Sequence, residues 1–271
     1  MWWLLYTLAP IILLFILYLF LIAPKKTKDM EKYKNVKYAH RGLHDDRLAE
    51  NSMSAFRAAV EAGFGIELDV QLSKDGELVV FHDGTLKRVC GIEGNVIDFT
   101  ADELSNFKLS GTEDTIPRFS EVLAIVNGRV PLLVEIKEGM HGTPVTEAAC
   151  KILSEYKGPF IVESFNPIAL KVVRKQLPKV SRGFLSQHYY EMEKFRKPLY
   201  FILQSLLSNA FCRPAFIAYN HKHASCFGLR FVRAFFGAPT IAWTICSPEE
   251  EEEAYKNGFD TVIFENYVPS K

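Results

Sequence analysis

The residues best suited to chemistry are three carboxylates, two histidines and two cations. Glu67 and Asp69 lie two apart in the apolar run Gly65–Val70, and Glu135 and Lys137 repeat that spacing in Leu132–Lys137. Alternate residues of a strand share a face, so each pair points one way while Ile66, Leu68 and Val70 point the other. Converging carboxylates repel unless something cationic compensates. A hard divalent cation, Mg²⁺ or Ca²⁺, does so through oxygen ligands. Salt bridges from Arg41 and Lys137 are the metal-free alternative. His40 and His82 end apolar runs of their own and flank the cluster. An imidazole that titrates near neutrality suits general acid–base work, and Arg41 offers a planar fork for a phosphate. Together these parts describe metal-assisted phosphodiester cleavage.

The surrounding pattern says what must hold them. Eight short apolar runs, from Val36–His40 to Thr261–Phe264, alternate with amphipathic stretches such as Ser52–Ala62, Pro167–Gln176 and Tyr189–Asn209. Strand-then-helix repeats predict parallel strands with crossover helices. Eight of them in this length predict an α/β fold, a TIM (β/α)8 barrel, with an open doubly wound sheet as the alternative. Leu78–His82 breaks the rhythm. It follows the second strand across Ser73-Lys74-Asp75-Gly76, a hairpin signal. A two-residue Asp75-Gly76 turn would set Lys74 opposite Glu77 and His82 opposite Asp69. The polar stretch 84–115 reads as an insertion over the barrel mouth, where barrel active sites lie.

The chain has 271 residues, and 32 basic and 32 acidic side chains leave no formal net charge. With 48% hydrophobic residues it is no disordered chain, and its neutrality argues against bulk nucleic-acid binding. Five cysteines without CxxC spacing argue against a disulfide framework or a structural zinc site. Residues 1–24 carry no charge. Trp2–Ala23 would span roughly 33 Å as a helix, enough for a bilayer core, with a cleaved signal peptide as the alternative. The lysines that follow (Lys25, Lys26, Lys28, Lys32, Lys34 and Lys37) predict a cytoplasmic flank. The expected layout is a single-pass anchor at 1–24, a linker at 25–35 and a cytosolic barrel at 36–271.

Several of these residues resemble the glycerophosphodiester phosphodiesterase family. The match runs through Tyr38-Ala39-His40-Arg41-Gly42, Glu50-Asn51-Ser52, Glu67-Leu68-Asp69-Val70, Lys74-Asp75-Gly76 and Val79-Val80-Phe81-His82-Asp83. It continues through Glu135-Ile136-Lys137, Ser164-Phe165 and Trp243-Thr244. The resemblance implies a divalent metal on Glu67, Asp69 and Glu135, with His40 and His82 as the acid–base pair. It implies substrate contacts from Arg41, Lys137, Phe165 and Trp243, and release of glycerol 3-phosphate and an alcohol. Cys246, Glu265-Asn266 and Ala218-Tyr219 depart from the family pattern and put the alcohol in doubt. The Phe- and Leu-rich stretches 201–211 and 227–236 are either packing surfaces or a membrane-touching edge that would admit lysophospholipids. An inactive barrel serving as a tethered binding module would lack a carboxylate or histidine, and none is missing. His221 and His223 form an HxH pair, read either as metal ligands or as a solvated loop.

Overall fold

The computed structural model of the protein describes residues 2–25, 27–139, 142–191 and 193–270, excepting the side chains of 2–5, 7, 28 and 194. The strands are β1 (Tyr38–Ala39), β2 (Gly65–Leu72), β3 (Leu78–Val80), β4 (Leu132–Ile136), β5 (Phe160–Ser164), β6 (Arg182–Ser186), β7 (Phe216–Asn220), β8 (Thr240–Ile245) and β9 (Thr261–Phe264). All but β3 run parallel, and Tyr38 closes the ring by pairing with Gly65 on β2 and Ile263 on β9. The sheet is therefore a closed eight-stranded barrel, and the open-sheet alternative is excluded.

Strand alternation divides the barrel into two floors. Lower inward positions are apolar, with Leu133, Ile161, Leu185, Phe216, Ala218 and Ile241 filling the interior. Gly183 makes room for Phe216, because a Cβ there would collide with its ring. Two residues further up, the same parity delivers Glu67 and Asp69, Glu135, Glu163, Trp243 and Glu265. Outward positions such as Ile66, Leu68, Val134 and Val162 meet the helices in the larger core.

The hairpin differs by one residue from the expected register. Leu72 pairs with Leu78 and Val70 with Val80. The turn has three residues rather than two. Gly76 takes φ +81°, and the Ser73 and Glu77 backbones close around it, as in a three-residue hairpin with a left-handed glycine. Phe81 thus stands opposite Asp69, to whose carbonyl its amide donates. Its ring enters a satellite core with Leu86, Val89, Val96 and Leu104. This core belongs to the insertion at about 84–115, and Thr100 and Glu103 form the expected capping box there. His82 reaches the mouth one step beyond the strand.

The amphipathic stretch 189–209 is not one helix. It breaks into turns at Tyr189–Glu191 and Glu193–Phe195, followed by a helix over Pro198–Gln204. Pro198 has no amide to donate and is tolerated only in a first helical turn.

A helix runs Trp2–Ile22, yet among the described residues no helix is long and apolar enough to cross a membrane. The Lys26 and Lys28 side chains, read as part of the cytoplasmic flank, lie outside the described residues. One face of this helix is docked on the barrel. Phe15 and Tyr18 meet Phe227 and Phe231, Asn209 Nδ2 donates to the Ile22 carbonyl, and Arg213 Nη1 donates to those of Phe20 and Ala23. The segment 25–35 is no loose tether. Met30 and Tyr33 are buried beneath the barrel interior, and the Tyr33 hydroxyl donates to the Phe160 carbonyl.

Candidate active site

The register between neighbouring strands assembles the carboxylates. Asp69 on β2 pairs with Glu135 on β4, which pairs with Glu163 on β5. Glu67 lies one inward step below Asp69. Glu67, Asp69 and Glu135 are buried, and one oxygen from each falls within 4.8 Å of the others.

Arg41 and Lys137 are the cations that face them. Lys137 Nζ lies 2.9 Å from Asp69 Oδ1 and 2.7 Å from Glu135 Oε1. Arg41 takes φ +54°, a left-handed conformation that turns its amide onto Glu67 Oε2 at 2.9 Å. Its guanidinium reaches Glu50 at 2.8 Å and Asp69 at 3.6 Å. Asn51, also left-handed, donates from Nδ2 to Asp69 Oδ2 at 2.8 Å. Burial pushes Asp69 upward, but Lys137, His82 and Arg41 outweigh it and hold the carboxyl below its ordinary range. Burial raises Glu135 to about 7. Glu67 and Glu163 are raised well above the ordinary range by burial and then by neighbouring carboxylates.

A metal fits this set. Four buried carboxylates face two cations, one of them shared with Glu50, so two negative charges stay uncompensated when all four ionise. A divalent cation matches that surplus and the all-oxygen donor set. The buried Glu163 Oε2 also has no partner among the described residues.

The histidines flank the cluster and are held differently. His40 follows β1, and its Nδ1 lies 2.6 Å from Glu265 Oε2. His82 Nδ1 lies 2.7 Å from Asp83 Oδ1, and Arg88 of the insertion grips both Asp83 and Glu50. Burial lowers both imidazoles from 6.5, partly opposed by the acidic groups around each. Phe165 and Trp243 meet edge to face, with ring centroids 5.6 Å apart. They help line a cavity of about 240 Å³ with His40, Arg41, Glu67, His82, Glu135 and Lys137. Asp69 lies behind it, bonded to Asn51 and Lys137. A neighbouring cavity of about 640 Å³ shares His82, Glu135, Lys137 and Phe165 and extends along Ile168, Leu199, Tyr200 and Leu203.

The structure thus gathers all nine residues singled out from the sequence: His40, Arg41, Glu67, Asp69, His82, Glu135, Lys137, Phe165 and Trp243. Sequence reasoning missed Asn51, Glu163, Gln187 and Glu265 as residues of this site. Glu163, Gln187 and Glu265 continue the two-residue alternation of β5, β6 and β9, so the signal was present. Asn51 depended on a left-handed loop that no periodicity announces. The HxH pair is not one unit. His221 turns to Glu250, with Nε2 3.9 Å from Oε2, while His223 turns to Glu191.

Residues 40–267 match the description "Glycerophosphoryl diester phosphodiesterase family". A glycerophosphodiester phosphodiesterase from Caldanaerobacter subterraneus subsp. tengcongensis is 38% identical over 57% of this chain and 68% of its own length. A human lysophospholipase D is 30% identical over 68% of this chain and 55% of its own length. An Oleispira antarctica phosphodiesterase, solved in complex with the product sn-glycerol-3-phosphate, superposes with a TM-score of 0.71 at 23% identity. It covers 88% of this chain and 95% of its own. That likeness speaks to the barrel fold.

Proposed function

The chain belongs to the glycerophosphoryl diester phosphodiesterase family, hydrolases of phosphodiester bonds, and from that premise we propose that it cleaves glycerophosphodiesters to glycerol 3-phosphate and an alcohol, with Mg²⁺ or Ca²⁺ on Glu67, Asp69 and Glu135. The observation that carries the proposal is the placing of His40 and His82 on one small cavity floored by buried carboxylates. The bound cation would supply charge neutralisation at the phosphoryl oxygens. Arg41 and Lys137 add positive charge on the same wall, and Phe165 and Trp243 offer an apolar face to the glycerol carbons. One histidine takes a proton from the nucleophile, either water or the substrate's glycerol 2-hydroxyl. A phosphorus–oxygen bond forms there, the bond to the alcohol breaks, and the other histidine protonates the departing oxygen. Water as nucleophile gives glycerol 3-phosphate directly, whereas the 2-hydroxyl gives a cyclic phosphodiester that a water then opens to glycerol 3-phosphate, with the two histidines exchanging roles. Their depressed basicity keeps at least one imidazole neutral, and so able to accept a proton, near pH 7.

A second reading, lysophospholipase D activity at the same site, draws support from the apolar 640 Å³ cavity. An acyl chain extending along Leu199 and Leu203 would leave the phosphate beside Lys137. Choline release from glycerophosphocholine and from lysophosphatidylcholine, measured side by side on the purified full chain with and without EDTA, tests both. Preference for the soluble diester supports the first reading and preference for the lipid the second. No release from either removes both, and EDTA-insensitive turnover removes the metal.

The same proposal extends to location. The barrel rests against a cytosolic bilayer surface, with the lysine-rich flank at the headgroups and the active site in the cytosol. Exposed Ile11, Leu13, Phe201, Phe227 and Phe235 supply apolar side chains for such a contact. Co-flotation of the full chain with anionic vesicles tests it, and a chain that stays behind would rule the contact out.

A further inference from the structure

A second group of potential ligands lies outside the active-site cavity. His188 and Glu191 sit in the loop after β6, and His223 in the turn after β7. His188 Nδ1 lies 3.8 Å from Glu191 Oε1, and His223 Nε2 lies 3.4 Å from Glu191 Oε2. The two imidazole centroids are 5.4 Å apart, and one donor atom from each residue falls within 4.8 Å of the others.

These separations are too long for direct hydrogen bonds, which close at about 2.7–3.2 Å. They suit an ion between the groups. Ligands about 2.0–2.1 Å from a tetrahedral centre stand roughly 3.4 Å from one another. The donors are two imidazoles and a carboxylate, a borderline-soft set unlike the all-oxygen cluster on β2 and β4. The Glu191 side chain is 60% exposed, which leaves an ion a path in and a water a fourth position.

We propose that His188, Glu191 and His223 form a second metal site, for a Zn²⁺-class transition ion, which clasps the loops after β6 and β7 at the barrel rim. The clasp lies beside substrate-facing walls, because Gln187 lines both cavities and Tyr189 lines the larger one. An ion there fixes that wall without touching the reacting phosphate.

The test uses the full chain, stripped with EDTA and then held in excess Mg²⁺ so that the carboxylate cluster is loaded. Co²⁺ is titrated and followed by visible absorption, and Zn²⁺ by calorimetry. One tight equivalent is expected, with the intense absorption of four- or five-coordinate cobalt. His188→Asn and His223→Asn should each weaken it at least about 10-fold, since losing even an outer-sphere partner costs that much. They should also abolish the Zn²⁺-induced rise in Tm, while keeping the wild-type Tm in EDTA and wild-type turnover of glycerophosphocholine in Mg²⁺. A weak six-coordinate cobalt spectrum in the wild-type chain overturns the proposal even if a variant fails to fold. So does unchanged Co²⁺ and Zn²⁺ affinity in both variants.

Discussion

His40 and His82 face one another across the same carboxylates, but two different parts of the fold hold them. His40 continues a barrel strand. Its partner Glu265 extends the strand hydrogen-bonded beside it, and both side chains are largely covered. His82 arrives on a hairpin outside the ring. It leans on Asp83, its own neighbour in sequence, and Asp83 is held by Arg88 from the insertion. The barrel thus fixes one histidine by strand geometry, while the insertion fixes the other by a chain of charges. Because Arg88 also grips Glu50, and Glu50 grips Arg41, the insertion is tied to Arg41 as well.

The largest effect should be symmetric. His40→Ala and His82→Ala should each lower kcat by about 10²–10⁴-fold, the usual worth of a positioned acid or base. The double variant should be little worse than the poorer single one, because the two act as a unit. A loss confined to one of them, measured by choline release, would reduce the pair to a single catalytic histidine. The partners should separate the two halves. Glu265→Gln gives up a charge-assisted hydrogen bond worth about 1.5–3 kcal/mol, or roughly 10–100-fold in rate. Arg88→Ala removes a half-exposed ion pair and should cost only about 2–5-fold. Equal losses would erase the distinction between strand-held and charge-held histidines.

The smallest effect assigns the roles. Burial lowers both imidazoles, so the acid limb of kcat/KM should lie below about pH 6.5. The catalytic base must be neutral, and activity falls as pH drops through its pKa. Glu265 raises the His40 pKa and Asp83 raises that of His82. If His40 is the base, Glu265→Gln moves the acid limb to lower pH and Asp83→Asn does not. If His82 is the base, the reverse holds. A limb that moves with neither variant would mean that some other group sets it.

This asymmetry also marks how far the sequence was legible. The barrel and its polar upper floor follow from periodicity, because alternation places Glu67, Asp69, Glu135 and Lys137 on one inward face. The same parity carried Glu163 and Glu265, although neither stands out in composition. The hairpin was harder to read. Asp75-Gly76 announces a turn, but its length depends on Ser73 closing the loop by one extra residue, and that residue shifted the register. Arg41 and Asn51 are oriented by left-handed backbone at non-glycine positions, which only the packed loop imposes. The joining of His188 and Glu191 to His223 is tertiary, since two separate loops supply it.

Whether buried carboxylates and two histidines hydrolyse a glycerophosphodiester is read by phosphorus NMR of glycerophosphocholine with the purified full chain and Mg²⁺ or Ca²⁺. The diester resonance should give way to glycerol 3-phosphate, and EDTA or Glu67→Gln should stop the conversion. A diester signal that persists with the wild-type chain and either metal, or conversion that proceeds undiminished in the Glu67→Gln chain, would contradict this chemistry.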